Sequence, residues 1–397
     1  LFPVDFKQPG AHIFFTAMTF PHITIGTACI LVSMWTLHKL TINNQQSDSQ
    51  FTIHYSLFII LFISNLSNLL LGIAYPFLLY LVIGTAVLTW LTLTLQSQTI
   101  LWKQGVILAS TFILPAPLYL YYAYTLQTNA VFAAWDAQAG TPSAPWPHYL
   151  IAFGPYLLLA GILWWKRPSS RKQYLIFWCW LVVVAILLYA PLNPQRRFLQ
   201  GIHVPLSILA MLGLIDVIIP WLTQTNIWQR ITTLPRYETP KMVQLLLVLF
   251  LLWMSVSNLY LWADVTRMAV FVQPYPLFRL TDEADAAAWL RTNAPQSAIV
   301  LGDLQTGNYI AARSGQRVIL GHWAETVDYE IKTTIVTQFF AADTSNTWRL
   351  NQLNTYQIDY VWYGPREKKI GAFDPANANY LMPIYANGRI TIYAVQP

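Results

Sequence analysis

The segment Asn193-Pro-Gln-Arg-Arg-Phe-Leu-Gln-Gly-Ile-His-Val-Pro205 places two adjacent arginines, Arg196 and Arg197, between two long apolar runs. One run ends near Ala190 and the other begins near Val204. Each run is long enough to cross a bilayer as a helix, which takes about 20 residues. If both runs cross, the two arginines lie at a membrane surface, and the first question is which surface.

The composition of the 397 residues is that of a membrane protein. Apolar residues make up 55% and charged residues only 10%, whereas soluble domains carry about 25% charged residues. Residues 1–263 hold 12 of the 23 Lys and Arg but only 5 of the 17 Asp and Glu. The net charge of +6 therefore belongs to the apolar part, where basic loops orient membrane spans. We expect no nucleic-acid partner.

Eight apolar runs predict a multi-spanning α-helical domain over residues 1–263, with spans of roughly 18–25 residues. The predicted spans are about 20–38, 52–71, 76–95, 105–125, 149–165, 173–190, 201–221 and 242–263. Ser64, Asn65, Ser67 and Asn68 interrupt the second run, and Tyr75-Pro76 leaves a short turn before the third. A wide hairpin or a re-entrant pair is the alternative for these two spans.

Lysine and arginine alternate strongly between the two sets of connecting loops. One set holds Lys39, Lys103, Lys166, Arg167, Arg171, Lys172, Arg230, Arg236 and Lys241, and the other holds Lys7, Arg196 and Arg197. The positive-inside rule places the first set in the cytoplasm. The N-terminal segment, the loop at 126–148, the two arginines and all residues after 263 are then predicted to lie outside.

Residues 264–397 have a globular composition and predict a small α/β domain outside the cytoplasm. Strand patterns alternate with helix patterns, which is typical of α/β layer structures. Strands are predicted at Ala298–Leu301, Arg317–Leu320, Ile358–Tyr363, 380–385 and 389–395, and helices from Thr281, over Asn308–Arg313, from 326 to about 342 and over 346–356.

Several kinds of site are not predicted. Cys29 and Cys179 lie inside apolar runs, so we expect neither a disulfide nor a metal cluster. The turn from Gly302 to Gly307 lacks the Gly-x-Gly-x-x-Gly pattern and the Lys-Ser/Thr ending of a phosphate loop. We therefore expect no nucleotide cofactor.

Arg196, Arg197 and His203 are candidates for binding a phosphate group. Arginine remains charged and offers a planar fork of donors that meets phosphate oxygens two at a time, and His203, further along the same stretch, could form a hydrogen bond with the same group. The alternative is that the arginines are interfacial anchors for lipid phosphates and that the histidine packs at the end of a span.

Asp303, His322, Trp323 and Glu325 are candidates for binding a sugar acceptor. The last three crowd a junction between a strand and a helix, where α/β sheets present ligands. In the alternative, the loop is structural, with Trp323 packed on the domain and Glu325 capping the next helix.

The stretch Pro194–Leu206, the outer loops and the C-terminal α/β domain together resemble bacterial multi-spanning glycosyltransferases of the GT-C superfamily, the dolichyl-phosphate-mannose mannosyltransferase and RgtA/B/C/D-like group. The order Val300–Ile310 and then Gln316–Thr326 also resembles, distantly, the catalytic subunits of oligosaccharyltransferases. The Trp-Trp pair of those subunits is absent here, and only Asp303 and Gly307 correspond.

The resemblance implies an enzyme of the cytoplasmic membrane and cell envelope that moves a sugar from a polyprenyl-phosphate donor to a glycan, lipid or protein acceptor on the outer side. Such enzymes place an acidic base in the first outer loop, after the first span, so the resemblance implies a chain that is incomplete at its N-terminus. Asp5 is the candidate base within the sequence. No cofactor is expected, except a divalent metal if the protein is an oligosaccharyltransferase-like protein glycosylase. A non-catalytic assembly factor or a transporter for lipid-linked glycans is the other alternative.

Overall fold

The computed structural model describes residues 21–43, 50–167, 169–234 and 237–396. The chain is mostly helical and divides into two compact units. The first comprises residues up to Thr128 and Gly140–Asp264, and the second comprises Asn129–Ala139 and Val265–Pro397. The segment Asn129–Ala139, which the sequence analysis places in an outer loop of the first domain, therefore belongs to the second unit.

Helices α1 to α14 account for most of the chain before residue 268. They are α1 Pro21–Asn43, α2 Gln50–Ala74, α3 Leu78–Ser97, α4 Trp102–Ser110, α5 Ala116–Thr128, α6 Ala130–Gln138, α7 Trp146–Lys166, α8 Ser169–Gln173, α9 Leu175–Leu187, α10 His203–Gly213, α11 Ile219–Thr223, α12 Asn226–Thr232, α13 Thr239–Met254 and α14 Val256–Arg267. A 3₁₀ turn, Gln195–Leu199, precedes α10, and a π turn, Leu214–Ile218, joins α10 to α11.

Five helical segments of the described chain are long and apolar enough to cross a membrane: His22–Thr41, Ser56–Ala74, Leu78–Ser97, Trp146–Lys166 and His203–Thr223. The pair Thr239–Met254 and Val256–Val272, bent by 42°, counts as a sixth if it is one span. The predicted count of eight is therefore not reached by this measure. The predicted span at 173–190 contains only the 13-residue helix α9, and the predicted span at 105–125 is broken between α4 and α5.

The polar residues of α2 do not interrupt that helix, because they bind neighbouring helices. Ser64 and Asn68 accept hydrogen bonds from Thr36 (3.0 Å) and Ser33 (2.7 Å) on α1. Asn65, which is 8% exposed, is directed at the break between α4 and α5. A re-entrant pair was the alternative here, whereas the structure has two uninterrupted helices, α2 and α3.

At the break between α4 and α5, two asparagine side chains form hydrogen bonds with backbone groups that lack a helical partner. Pro115 has no N–H to donate to the carbonyl of Thr111, and Asn68 Nδ2 donates to that carbonyl instead (3.0 Å). Asn65 accepts the N–H of Leu114 (3.0 Å) and donates to the carbonyl of Ser110 (2.8 Å). The two amides therefore satisfy backbone groups that the break would otherwise leave without a partner.

Several connections of the first unit meet at its two ends. At one end, His22 lies 5.9 Å from Tyr75 between ring centroids, and Phe77 lies 6.2 Å from Phe198. The N-terminus of α1, the turn between α2 and α3 and the 3₁₀ turn therefore share this end. At the other end, Gln104 donates to the carbonyl of Leu40 (3.1 Å).

The second unit is built on a five-stranded mixed sheet of order β2-β1-β3-β5-β4. Its strands are β1 Ile299–Leu301, β2 Arg317–Val318, β3 Tyr360–Tyr363, β4 Leu381–Asn387 and β5 Ile390–Val395, and its helices besides α6 are α15 Thr281–Asn293, α16 Leu304–Arg313, α17 Tyr329–Phe340, α18 Asn346–Thr355 and α19 Glu367–Ile370. Strands β2, β1 and β3 are parallel, and β5 is antiparallel to β3 and β4.

Alternate residues of the strands face two separate apolar clusters. Val300 and Trp362 pack with Ala286 and Leu290 of α15. Val361, next to Trp362, packs in the other cluster, which contains residues of α17 and α18. This alternation follows from the two-residue period of a strand, and it covers both faces of the sheet with helices.

Candidate functional site

Buried side chains anchor the 3₁₀ turn that carries Arg196 and Arg197. Phe198 and Leu199 are fully buried. Gln200, 2% exposed, donates from Nε2 to the carbonyl of Ile23 (2.6 Å) and to Oγ1 of Thr27 (2.7 Å). The turn is therefore tied to the first turns of α1. Gly201 adopts φ +77°, which favours glycine, and lets the chain enter α10 directly.

Backbone hydrogen bonds also tie this turn to the segment after Gly140. The N–H of Thr141 donates to the carbonyl of Asn193 (2.8 Å), and the N–H of Arg196 donates to the carbonyl of Thr141 (3.0 Å). Gln195 accepts the N–H of Ser143 through Oε1 (3.0 Å). The backbone of Arg196 is thus fixed while its side chain is exposed.

Arg197 is half-buried and lies on an aromatic surface. Its guanidinium carbon is 5.5 Å from the centroid of the Phe77 ring, and it hydrogen-bonds the hydroxyl of Tyr75. The rings of Tyr75 and Phe77 are 4.4 Å apart. A guanidinium stacked in this way uses its face for the ring and keeps edge N–H groups for anions.

His203 lies in an aromatic environment. Its ring centroid is 5.4 Å from that of Phe153 and 5.9 Å from that of Tyr156, both in edge-to-face geometry. These neighbours belong to α7, whereas the arginine turn is tied to α1 and to the 141–143 segment. The role of His203 at a phosphate remains a prediction. Asp5, the candidate base, lies outside the described residues.

Asp303 lies two residues after the end of β1 and has three structural interactions. Its carboxylate caps α16 by accepting the N–H of Gln305 (3.0 Å) and forms an ion pair with Arg366 Nε. Its own N–H donates to Glu367 Oε1 (2.8 Å). The structure therefore engages Asp303 within the fold, and sugar binding by it remains a prediction.

Glu367 fills the crevice between the carboxyl ends of β1 and β3. The chain passes from β1 to β2 on one side and returns to β3 on the other, which makes this crevice the switch point where open α/β sheets usually bind ligands. The second carboxylate oxygen of Glu367 accepts the N–H of Gly364 (3.1 Å). Glu367 is fully buried, and burial raises the pKa of its carboxyl group. Sequence reasoning missed this residue, although its position after a predicted strand was a possible signal.

A stack of charged and aromatic side chains surrounds this crevice. The Tyr275 ring lies between Arg279 (4.6 Å) and Arg366 (4.8 Å), measured from guanidinium carbon to ring centroid. Arg279 donates to the Tyr275 hydroxyl (2.6 Å) and pairs with Glu283 (3.6 Å). Burial raises the pKa of Tyr275 to about 12 and also raises the pKa of Glu283. An open cleft of about 480 Å³ adjoins the stack, lined by Pro276, Leu277, Arg279, Gln305, Asn308, Tyr309, Ala312 and Arg313.

The loop 321–326 is a compact turn with exposed side chains. The carbonyl of His322 accepts the N–H groups of Glu325 (3.1 Å) and Thr326 (2.9 Å). The Oγ1 atom of Thr326 accepts the N–H of Gly321 (3.1 Å). His322, Trp323 and Glu325 remain exposed, so the structure brings these three predicted residues together at one surface.

Helix α6 completes this surface, which the sequence analysis did not predict. The indole N–H of Trp135 donates to Glu325 Oε2 (3.0 Å). Gln138 donates to the carbonyls of Ala324 (2.9 Å) and Thr326 (2.8 Å). About 190 residues separate the partners, and no local pattern relates them. From the sequence, Trp135 was predicted only to lie in the outer loop at 126–148.

No family model and no curated protein matches the chain. Among the described residues, no group of three or more His, Cys, Asp and Glu side chains could hold a metal ion. The arginine turn and the surface around loop 321–326 are therefore the two candidate sites.

Proposed function

We propose that the protein is an integral-membrane glycosyltransferase that moves a sugar from a polyprenyl-phosphate donor to an acceptor on the outer side of the cytoplasmic membrane. The observation that carries the proposal is the anchored turn with Arg196 and Arg197 at one end of the helical unit. Arg197 is stacked on Phe77 and bonded to Tyr75. The expectation of GT-C character rests on the sequence resemblance.

The chemistry explains why two arginines suit this place. In the reaction, the bond between the sugar carbon and the donor phosphate breaks while a bond to an acceptor hydroxyl oxygen forms. Negative charge develops on the departing phosphate, where fixed cations are most effective. A carboxylate acting as general base takes the proton of the acceptor hydroxyl. Asp5 remains the candidate for that base.

The second unit would serve as an extracytoplasmic α/β domain that binds the acceptor. His322, Trp323 and Glu325 are exposed at one loop, which supports their assignment to acceptor binding. Asp303 is the weaker candidate, because its carboxylate pairs with Arg366 and caps α16.

The proposal also includes the finer membrane topology. Helix α9 is apolar but shorter than a full span, and the 3₁₀ turn would extend it to the membrane surface. Helices α4 and α5 would cross together, because Asn65 and Asn68 satisfy the backbone groups at their break. With these two crossings and the bent pair, the number of spans reaches the predicted eight.

Photocrosslinking with a benzophenone-tagged polyprenyl-phosphate sugar tests the proposal. We expect label on peptides around Arg197 and Tyr75, and loss of most of it in the double variant Arg196→Gln, Arg197→Gln. Arg197→Lys should also weaken labelling, by about tenfold, because lysine loses the two-point contact to phosphate.

Arg171→Gln is the matched control. Arg171 also stacks on an aromatic ring, that of Trp164 at 4.5 Å, but it lies between α7 and α9, in the loop set predicted to face the cytoplasm. The Arg171→Gln variant should be labelled to the same extent as the wild-type protein. Even labelling over the apolar surface, unchanged in the double variant, would contradict the proposal and favour lipid anchors in a non-catalytic assembly factor.

A further inference from the structure

We propose that Trp135, His322, Trp323 and Glu325 form one binding surface of the second unit for a neutral or amino-sugar glycan. The inference rests on the proposed function in one respect, namely that the bound glycan is the acceptor. It adds α6, a helix from the middle of the chain, to the residues that bind it.

Two large aromatic side chains are partly exposed to solvent on this surface. Trp135 is 39% exposed and Trp323 is 41% exposed, and the hydrogen bond from Trp135 on α6 to Glu325 joins α6 to the loop that carries Trp323. Tryptophan faces are apolar and electron-rich, so they suit the polarised C–H groups on one face of a pyranose ring. The neighbouring polar side chains of His322 and Glu325 can form hydrogen bonds with the hydroxyl groups at the edge of such a ring.

Local hydrogen bonds determine which polar groups on this surface can donate and which can accept. His322 Nδ1 accepts the N–H of Ala324 (3.2 Å), so in the neutral ring Nε2 carries the proton and is a donor. Glu325 accepts one N–H from Trp135 through Oε2. A carboxylate offers about four lone-pair positions, so capacity remains for sugar hydroxyl groups.

The charge of the surface selects the class of glycan. Glu325, Asp328 and Glu330 lie within six residues, and all three are exposed. Such a surface repels phosphate and anionic lipid headgroups and accepts neutral sugars or protonated amino sugars. The negative charge of this surface therefore suits the acceptor glycan better than the donor phosphate.

Binding of tetrasaccharides to the full chain in zwitterionic nanodiscs tests the inference. The probes are tetrasaccharides of mannose, N-acetylglucosamine and glucosamine, measured by saturation-transfer NMR and calorimetry. We expect millimolar binding of at least one, weakened about tenfold by Trp323→Ala, which removes one stacking ring. Glu325→Gln should weaken the glucosamine tetrasaccharide more than the two neutral ones.

Trp146→Ala is the control, because Trp146 is a 64% exposed tryptophan of the first unit. It should bind glycan as the wild type does. Trp135→Ala would remove both an aromatic ring and the hydrogen bond to Glu325, so its effect on binding would have two causes. Trp323→Ala removes only a ring and is therefore the decisive variant.

The outcomes separate this inference from the proposed function. Glycan binding that survives in the Arg196→Gln, Arg197→Gln variant supports the surface, whether or not donor labelling is found. Donor labelling without any glycan binding retains the donor site and overturns the surface. Binding to anionic vesicles that Trp323→Ala abolishes, with no glycan bound, would show a membrane contact and also overturn it.

Discussion

Glu367 bridges the backbones that follow β1 and β3 in the second unit. Its two oxygens accept the N–H groups of Asp303 and Gly364. The adjacent residue, Arg366, pairs with the Asp303 carboxylate. A crevice that often holds a ligand in α/β folds is thus occupied by the protein's own side chains, which makes Glu367 a structural residue.

We expect the stability that Glu367 contributes to depend on pH. Burial raises the pKa of Glu367 in the folded state. Such a group adds stability that is fully present below its unfolded value of about 4.3 and is lost as the pH rises through the folded pKa. Glu367→Gln places an amide N–H₂ against a backbone N–H, which costs about 1–3 kcal/mol for a buried unpaired group. The cost should be largest at acid pH and smaller at neutral pH.

Thermal unfolding from weakly acidic to neutral pH measures this cost. Glu330→Gln, at an exposed carboxylate of α17, is the control. If the loss of stability in Glu367→Gln does not change with pH, or if Glu330→Gln shows the same pH dependence, the raised pKa of Glu367 is contradicted.

Among the helices, the broken pair α4 and α5 shows how one element depends on another. Asn65 replaces the missing helical bond between Leu114 and Ser110 by accepting from one and donating to the other. Its position on α2 looked like an interruption of an apolar run, but its function is to complete the next helix pair.

Asn65→Ala should destabilise the first unit by roughly 2–5 kcal/mol, because it leaves one donor and one acceptor unpaired in an apolar interior. The midpoint of thermal unfolding in detergent should fall clearly. Leu66→Ala, at a 42% exposed neighbour on the same helix, should change it little. An unchanged midpoint for Asn65→Ala would mean that the break finds other partners.

On the scale of the whole molecule, the orientation of the first unit is open to a direct test. Cys29 and Cys179 are both buried, so the native chain should react little with polar thiol reagents. Gln127→Cys and Thr99→Cys introduce exposed thiols at the end of α5 and after α3. The predicted topology places the first outside and the second in the cytoplasm.

An impermeant maleimide added to intact cells should therefore label Gln127→Cys at once and Thr99→Cys only after permeabilisation. The reverse pattern would invert the topology and place Arg196 and Arg197 in the cytoplasm. Labelling of both in intact cells would show that α4 and α5 do not cross.

The sequence alone was sufficient for several features. Hydropathy predicted a multi-spanning helical protein, because long apolar helices have few stable locations other than a bilayer. Local patterns also located the strands of the second unit, from Ile299–Leu301 to Ile390–Val395, because alternation and turn residues act over short distances. The juxtaposition of Arg196 and Arg197 was likewise visible in the sequence.

Only the tertiary structure decided the rest. It placed Phe77 and Tyr75 at Arg197, filled the crevice with Glu367, and brought Trp135 to Glu325. Each of these contacts joins residues that are far apart in the chain, and the hydrogen bonds and stacking that hold them act in space rather than along the sequence. Residue types and periodicity determine which elements form, while the partner of each polar side chain is determined by packing.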